Sequence, residues 1–264
     1  MIDTHYYHDN WGLYPILFQL GKFQIESYSF FVVLALLTAA AVYYFYVHKD
    51  KLTGEKAIYL ALAAITGGTI GSKIPIWLIH FHEIFNSHTN LVSILSGRTI
   101  TGGLIGGTLA VIIVKKILKI QVRKGNIFAP AAALGIAVGR IGCLLRGCCY
   151  GSITQLPWGI DFGDHITRHP TQIYEALYCL LLFIIIVIWK EKHPKPGQLF
   201  DFFMISYFSF RFFIEFIKFE PAIYLGFTAF QLISILVLMK YVIKFLWQIF
   251  KKIFENQKQL VSNF

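Results

Sequence analysis

The sequence predicts an all-α, polytopic membrane protein with seven transmembrane helices, forming a single domain over residues 1–264. Three observations lead to this prediction. Apolar residues make up 56% of the chain and charged residues only 14%, whereas a soluble domain carries about 25% charged residues. The mean hydropathy is +0.60. Apolar stretches close to the length that a bilayer crossing needs, about 20 residues, recur along the chain. Such a chain cannot cover a water-exposed surface, so soluble, disordered, coiled-coil and disulfide-rich secreted folds are excluded.

The apolar stretches follow an N-terminal segment of residues 1–28. They lie near residues 29–47, 57–79, 99–114, 127–145, 172–189, 199–217 and 224–239. The N-terminal segment is predicted to hold either an interfacial helix or a set of aromatic anchors in the headgroup region. This prediction depends on residues that recur at helical spacing, namely Trp11, Tyr14, Leu17 and Phe18.

The positions of Lys and Arg predict the orientation in the membrane. Sixteen of the 24 basic residues lie in the segments 48–56, 115–126, 190–198 and 240–264, and only five lie in the other loops and the N-terminal segment. We therefore expect the N-terminus outside and the C-terminus in the cytoplasm. The net charge of +10 follows from this topology, so no nucleic-acid partner is expected.

The ionisable and polar groups within the spans gather in the half of the membrane predicted to face outward. Buried ionisable groups are costly in a bilayer and usually have a function. Transporters and channels need polar groups through the membrane midplane, but here the inner half carries little besides Asp201. The pattern favours a site open to the outer face.

Arg140 and Arg211 are the strongest candidates for a binding role. A guanidinium stays charged and presents a planar fork that suits phosphate. Two of them at one depth predict a clamp for a phospholipid headgroup or a phosphoryl leaving group. The alternative is that the arginines form salt bridges with Glu175 or Glu215, and salt bridges are compatible with phosphate binding. Tyr207 shares a helix face with Arg211 and Glu215, so it is expected to help orient the guanidinium.

Lys73 and two glycines extend this candidate site. Lys73 is a candidate third cation, and the alternative is a side chain that only reaches to the interface. The pair Gly102 and Gly103, beside Thr101, is a candidate for exposing backbone N–H groups to an anion. Close helix packing is the favoured explanation for most glycines of the second, third and fourth spans.

His169 precedes Pro170, Thr171 and Gln172, a pattern that predicts a helix start. His169 is therefore either a capping residue or a proton-transfer group.

Three cysteines, Cys143, Cys148 and Cys149, crowd the outer end of the fourth span. A disulfide, a reactive thiol beside an arginine and a metal site with a fourth ligand such as His169 are all open alternatives, although no metal or cofactor is the overall expectation. Cys179 lies in the middle of a span and is expected to pack as a small apolar side chain.

Four segments occur in one order over about residues 20–240. They are Thr101 to Gly107, Gly139-Arg140-Ile141-Gly142 running to Tyr150-Gly151, Arg168 to Glu175, and Tyr207 to Arg211 with Glu215. Together they resemble the motifs of the bacterial prolipoprotein diacylglyceryl transferase family. The resemblance implies seven spans with the N-terminus outside, in agreement with the orientation above.

The resemblance also implies an activity. Enzymes of this family act at the outer face of the bacterial plasma membrane and need no metal or organic cofactor. They transfer the diacylglyceryl group of phosphatidylglycerol to the lipobox cysteine in the signal peptide of a preprolipoprotein, forming a thioether and releasing glycerol phosphate. The candidate catalytic residues are then Arg140, Arg211, His169, Glu175, Thr101, Cys143 and Cys148. The candidate phospholipid-binding residues are Arg140, Arg211, Lys73, Gly102, Gly103, Tyr28, Gln172, Tyr207 and Glu215.

The chain departs from the family's pattern at three positions. Thr101 stands where the family usually has a histidine, Cys143 where it has an asparagine, and Cys148 where it has a glutamate. The phosphate-binding part is thus retained, and the part that activates the acceptor thiol is altered. Two alternatives follow: a related phospholipid-dependent transferase with another acceptor or cysteine-based chemistry, and a non-catalytic lipid-binding factor of the envelope.

Overall fold

The computed structural model describes residues 11–21, 23–50, 54–79, 97–120, 125–218 and 222–262. These residues form seven helices, one at each predicted span. The helices are α1 Ser27–Lys49, α2 Glu55–Ile79, α3 Ile100–Ile117, α4 Gly125–Arg146, α5 Thr171–Lys190, α6 Gln198–Ile214 and α7 Ala229–Ser262. Six of them are long and apolar enough to cross a membrane, and in α7 the qualifying part is Ala229–Trp247. The exception is α6, with 17 residues.

The all-α prediction is incomplete, because three antiparallel hairpins lie among the helices. They are formed by β1 Ile16–Leu20 with β2 Phe23–Glu26, β3 Ile160–Asp161 with β4 Thr167–Arg168, and β5 Ala222–Tyr224 with β6 Phe227–Thr228. The last hairpin turns at Leu225 and Gly226, which both have positive φ, as a two-residue hairpin turn requires. The seventh helix therefore begins at Ala229, five residues after the start of the predicted span.

Of the two alternatives for the N-terminal segment, the interfacial helix was wrong, and an anchoring role stays a prediction for Tyr14 and Phe18. Residues Ile16–Leu20 form a strand, so no interfacial helix runs from Trp11 to Phe18. Trp11 is not a headgroup anchor either, because it is buried and its indole N–H donates to the Gly147 carbonyl at 2.9 Å. Tyr14 and Phe18 remain more than half exposed. Helical spacing was misleading here because long-range contacts to the loop after α4 decide where this segment lies.

Helices α2 and α3 pack closely through glycines, as predicted for these spans. A Cβ atom on Gly71 would lie 2.7 Å from the Cα of Gly106, and one on Gly106 would lie equally close to the Cα of Gly71. Since both neighbours are backbone atoms, any larger residue would force the helices apart.

Helices α4, α5 and α6 enclose a common apolar core. It contains Ala133 of α4, Cys179 and Leu182 of α5, and Phe203 of α6, all buried. Cys179 is thus a packed apolar residue, as expected. One end of these three helices carries the polar residues described next, so the core beneath holds their positions.

Candidate active site

Two ion pairs are buried where α4, α5 and α6 meet. Arg140 Nη2 lies 2.6 Å from Glu175 Oε2, and the two side chains are 6% and 0% exposed. Arg211 Nη2 lies 2.9 Å from Glu215 Oε2. The Tyr207 hydroxyl donates to Glu175 Oε1 at 2.8 Å. The salt bridges considered from the sequence are therefore formed, and Tyr207 orients Glu175 rather than Arg211.

Each arginine keeps a hydrogen-bond donor that is not used within the described structure. Arg140 Nε and Arg211 Nη1 are buried and have no hydrogen-bond partner among the described residues. A buried donor that lacks a partner costs about 1–3 kcal/mol. These two N–H groups are consequently suited to an incoming acceptor such as a phosphate oxygen.

Lys218 is a third buried cation, which the sequence analysis did not select. Its backbone pairs with Gly151, and the neighbouring Ile217 carbonyl accepts from Ser152 N–H at 2.7 Å. The side chain is 8% exposed and interacts electrostatically with Arg211, Arg140 and Glu175. Burial, together with the charges of the two arginines, lowers the pKa of Lys218. The feature of the sequence that could have identified Lys218 is its position seven residues after Arg211.

The end of α4 brings three thiols together. Gly147 has a left-handed backbone, with φ +78°, and its N–H bonds to Leu144 O while that of Cys148 bonds to Cys143 O, both at 3.1 Å. This is the Schellman motif, which ends a helix and places the residue after the glycine beside the residue five positions earlier. The sulfur atoms of Cys143, Cys148 and Cys149 consequently lie within 4.8 Å of one another.

The cysteines of this cluster are free thiols, so the disulfide considered from the sequence is not formed. Cys149 has a positive φ of 65°, a conformation that costs energy for a non-glycine residue. Two hydrogen bonds from side chains of α5 hold Cys149 in this conformation. Thr171 Oγ1 donates to Cys149 O and Gln172 Nε2 donates to Cys148 O, each at 2.6 Å. Gln172 therefore positions the cysteine loop rather than capping its own helix.

Cations surround the thiol cluster. Arg140 Nη1 lies 3.9 Å from the Cys143 sulfur, so the ion-pair group and the cluster are in contact. Tyr28 interacts electrostatically with all three thiols. The guanidinium carbon of Arg146 lies 5.0 Å from the centre of the Tyr28 ring. Tyr28 is thus placed at the site, as predicted.

His169 does not have the capping role considered for it, and its role as a proton-transfer group stays a prediction. The N-cap of α5 is Pro170, with no side-chain cap bond, so the predicted helix start is confirmed while the capping role of His169 is not. Its Nδ1 lies 3.3 Å from the Tyr174 hydroxyl. It is also not among the side chains whose ligand atoms gather with the three cysteines.

Three further candidates lie at the start of α3, and a fourth lies on α2. Gly102 N–H donates to Thr99 Oγ1 at 3.2 Å and Gly103 N–H to Thr99 O at 3.0 Å. Both N–H groups thus donate within this helix start. A Cβ atom on Gly102 would overlap the Gly71 carbonyl oxygen, so Gly102 serves close packing, whereas Gly103 has ordinary contacts. Anion binding by the pair stays a prediction. Thr101 is buried, and Lys73 is half-buried on α2. Their roles remain predictions.

A second polar cluster, around Arg168, lies next to the site. Arg168 forms two bonds to the Asp164 carboxylate, at 2.6 and 2.7 Å, and its guanidinium lies over the rings of Tyr150 and Trp11 at 4.9 and 5.7 Å. The hydrogen bonds from Arg168 lower the pKa of Asp164. This cluster ties the N-terminal segment to the loop that carries the cysteines.

Fold and site together define a multi-pass helical membrane protein with a buried, cation-rich site at one end of its helices. The chain belongs to the prolipoprotein diacylglyceryl transferase family, whose sequence profile matches residues 15–247.

Individual relatives agree with this assignment. The phosphatidylglycerol–prolipoprotein diacylglyceryl transferase of Clostridium tetani is 31% identical over 214 residues, which cover 78% of this chain and 86% of the relative. The enzyme of the same name from Campylobacter lari is 32% identical over 244 residues, 85% of this chain and 89% of the relative. That of Wolbachia pipientis is 33% identical, with 85% and 90% covered.

Proposed function

We propose that this chain transfers the diacylglyceryl group of phosphatidylglycerol to the lipobox cysteine of a preprolipoprotein. The observation that carries the proposal is the excess of buried cations. Among the residues that the structure describes, Arg140, Arg211 and Lys218 face two carboxylates, those of Glu175 and Glu215. The names of the relatives give phosphatidylglycerol as the donor and a prolipoprotein as the acceptor.

The charge balance indicates what the site binds. Three cations and two carboxylates leave one positive charge buried, and a buried charge is stabilised only by a partner. The phosphodiester of phosphatidylglycerol carries one negative charge and supplies acceptor oxygens for Arg140 Nε and Arg211 Nη1. The site therefore matches the donor lipid in charge and in hydrogen bonding.

The reaction is a nucleophilic displacement at carbon. The acceptor sulfur forms a bond to the terminal glycerol carbon of the diacylglyceryl group, and the bond from that carbon to the phosphate oxygen breaks. Its electron pair leaves with glycerol phosphate, and the thiol proton goes to solvent. Negative charge grows on the phosphate as it leaves, where arginines that are already in place stabilise it most.

The proposal includes an orientation. Seven crossings are proposed from the seven apolar stretches, and six of the seven helices are long and apolar enough to cross a membrane. The distribution of the basic residues supports the N-terminus outside and the C-terminus in the cytoplasm. Arg140, Glu175 and Arg211 would then lie in the outer leaflet of the bacterial plasma membrane, where a translocated signal peptide arrives.

A transfer assay tests the proposal. Purified protein in detergent is given phosphatidylglycerol and a lipobox peptide, and mass spectrometry looks for a diacylglyceryl thioether on the peptide cysteine. We expect product with wild type and with Lys49→Gln, which removes an exposed basic residue paired with Glu191. Arg211→Gln should lower kcat/KM by about 100-fold or more.

Two results would contradict the proposal. Wild-type turnover in Arg211→Gln would remove the argument from the cations. Absence of product from the folded wild type, while a relative run alongside is active, would favour a lipid-binding factor or another acceptor.

A further inference from the structure

The thiol cluster of Cys143, Cys148 and Cys149 is not used in the reaction described above. Within the described part of the chain it is the only group of three or more His, Cys, Asp or Glu side chains whose ligand atoms converge. Cys143 and Cys148 are 8% exposed, and Cys149 is half-buried. The cluster is thus sheltered on one side and reachable on the side of Cys149.

The geometry suits a soft metal ion. A Zn–S bond of about 2.3 Å implies sulfur–sulfur separations of roughly 3.8 Å in a tetrahedral site. The three sulfurs are within 4.8 Å, so a contraction of up to about 1 Å, within reach of side-chain rotation, completes a three-thiolate face. Catalytic zinc sites have three protein ligands and an open fourth position, and His169 does not occupy that position here.

Cations lie close to the thiol cluster. Arg140 lies 3.9 Å from the Cys143 sulfur, Lys218 interacts with Cys149, and Arg146 is stacked over Tyr28 beside the cluster. A zinc ion with three thiolates carries a net charge of −1, and Arg146, which is not among the three cations counted for the phosphodiester, places a further positive charge near it. Positive surroundings are the usual setting of ionised cysteines.

The proposed transfer needs the acceptor cysteine as a thiolate. Glu175 and Glu215 are each held by an arginine. His169 lies against Tyr174, and Thr101, which stands where the family usually has a histidine, has no basic group. A thiol bound to a metal ion is deprotonated outright, so a metal would make a general base unnecessary.

We propose that Cys143, Cys148 and Cys149 bind a zinc ion whose fourth position takes the acceptor cysteine of the preprolipoprotein as a thiolate. This inference rests on the proposed function. The acceptor thiol gives its proton to solvent on binding zinc. The zinc-bound sulfur then attacks the glycerol carbon of the lipid, the carbon–oxygen bond breaks with its electron pair on the phosphate, and the thioether product, a weaker ligand, leaves the metal. No oxidation or reduction takes place.

Metal content is measured first and does not depend on activity. The full chain in detergent is stripped with a chelator, reloaded with zinc and analysed by elemental mass spectrometry. We expect one zinc per chain in wild type and in the control Cys179→Ala, which removes a thiol outside the cluster. Cys148→Ser and Cys149→Ser should each lose the bound zinc while eluting as folded protein. Equal zinc in wild type and in both serine variants would overturn the site.

The open position is tested by spectroscopy. Cobalt(II) replaces zinc, and its visible and thiolate charge-transfer absorption report the ligands. A lipobox peptide should change this spectrum, whereas the same peptide with serine in place of cysteine should not. An unchanged spectrum with saturating cysteine peptide would overturn the assignment of the fourth ligand.

Activity separates this inference from the proposed function. We expect the stripped protein to transfer at least about tenfold more slowly than the zinc-loaded protein. Equal rates would overturn zinc activation and leave the transferase function standing. No transfer in either state, with stoichiometric zinc and a peptide-dependent spectrum, would overturn the transferase function and support the thiol-binding metal site.

Discussion

The buried pair of Arg140 and Glu175 permits a test of how strongly the ion pairs hold the site together. We consider Glu175→Gln, which keeps the size of the side chain and an oxygen that accepts from Tyr207. It removes the charge that lies 2.6 Å from Arg140. Arg140 is 6% exposed, so water cannot replace the lost partner.

The expected loss follows from the environment of the pair. Removing one partner of a buried ion pair costs about 3–5 kcal/mol, because the other charge is left uncompensated. The buried charge at the site would also rise from one to two, since Arg211 and Lys218 remain. The unfolding equilibrium constant should therefore change by at least two orders of magnitude.

Lys49 and Glu191 provide a matched control. Their charged atoms are also 2.6 Å apart, but the two side chains are 45% and 58% exposed. Solvent screens such a pair, and its contribution to stability is small. Glu191→Gln should consequently leave the stability close to that of wild type.

The measurement is the free energy of unfolding of the three proteins in mixed micelles of a mild detergent and SDS. Equal losses for Glu175→Gln and Glu191→Gln would refute the reasoning, because it would mean that the 2.6 Å distance matters and the burial does not.

Three further predictions concern other parts of the structure. Lys218→Met should lower kcat/KM for phosphatidylglycerol by about 100-fold, and Lys218→Arg should retain part of the activity because it keeps the charge. Full activity in Lys218→Met would exclude this cation from the site. Gly106→Ala should destabilise the protein by about 1–3 kcal/mol, because its Cβ would meet the backbone of α2. Gly103→Ala is the control and should cost less, because its Cβ would have ordinary contacts of 3.4 Å or more. Equal thermal stability of the two variants would contradict this prediction. Hydrogen bonds from Arg168 depress the pKa of Asp164, so the stabilisation is fully present above about pH 4 and is lost as the pH falls below it. After correction for the intrinsic exchange rate, the hydrogen-exchange protection of residues 161–168 should therefore fall on acidification. Asp164→Asn should reduce this dependence, and the remainder is due to Asp161, whose pKa is lowered by backbone N–H groups of the same loop.

Much of the helical framework was predictable from hydropathy, because each span is a continuous apolar stretch that needs no distant partner to be recognised. The hairpins were not predictable in this way. Ile16–Leu20 is apolar and was read at helical spacing, but it pairs with Phe23–Glu26. The contact of Trp11 with Gly147 joins residues 136 positions apart, and no local pattern contains it.

The candidate site shows the same division. Arg140, Glu175, Arg211 and Glu215 stand out in a sequence because a charge within an apolar stretch is conspicuous. Lys218 lies outside the predicted spans and looked like one more loop lysine. The hydrogen bonds of Gly102 and Gly103 were not predictable, because a sequence does not tell whether a backbone N–H group already has an acceptor within the fold.

The sequence by itself determined that this chain is a helical membrane protein with its charges gathered at one depth, because apolar length and charge content are local properties. Only the tertiary structure decided which charges meet, that Lys218 joins them, and that three cysteines converge. The physical reason is that an ion pair or a thiol cluster depends on distances between atoms on different elements. In this protein those distances are determined by the packing of α4, α5 and α6 and by the turn at Gly147.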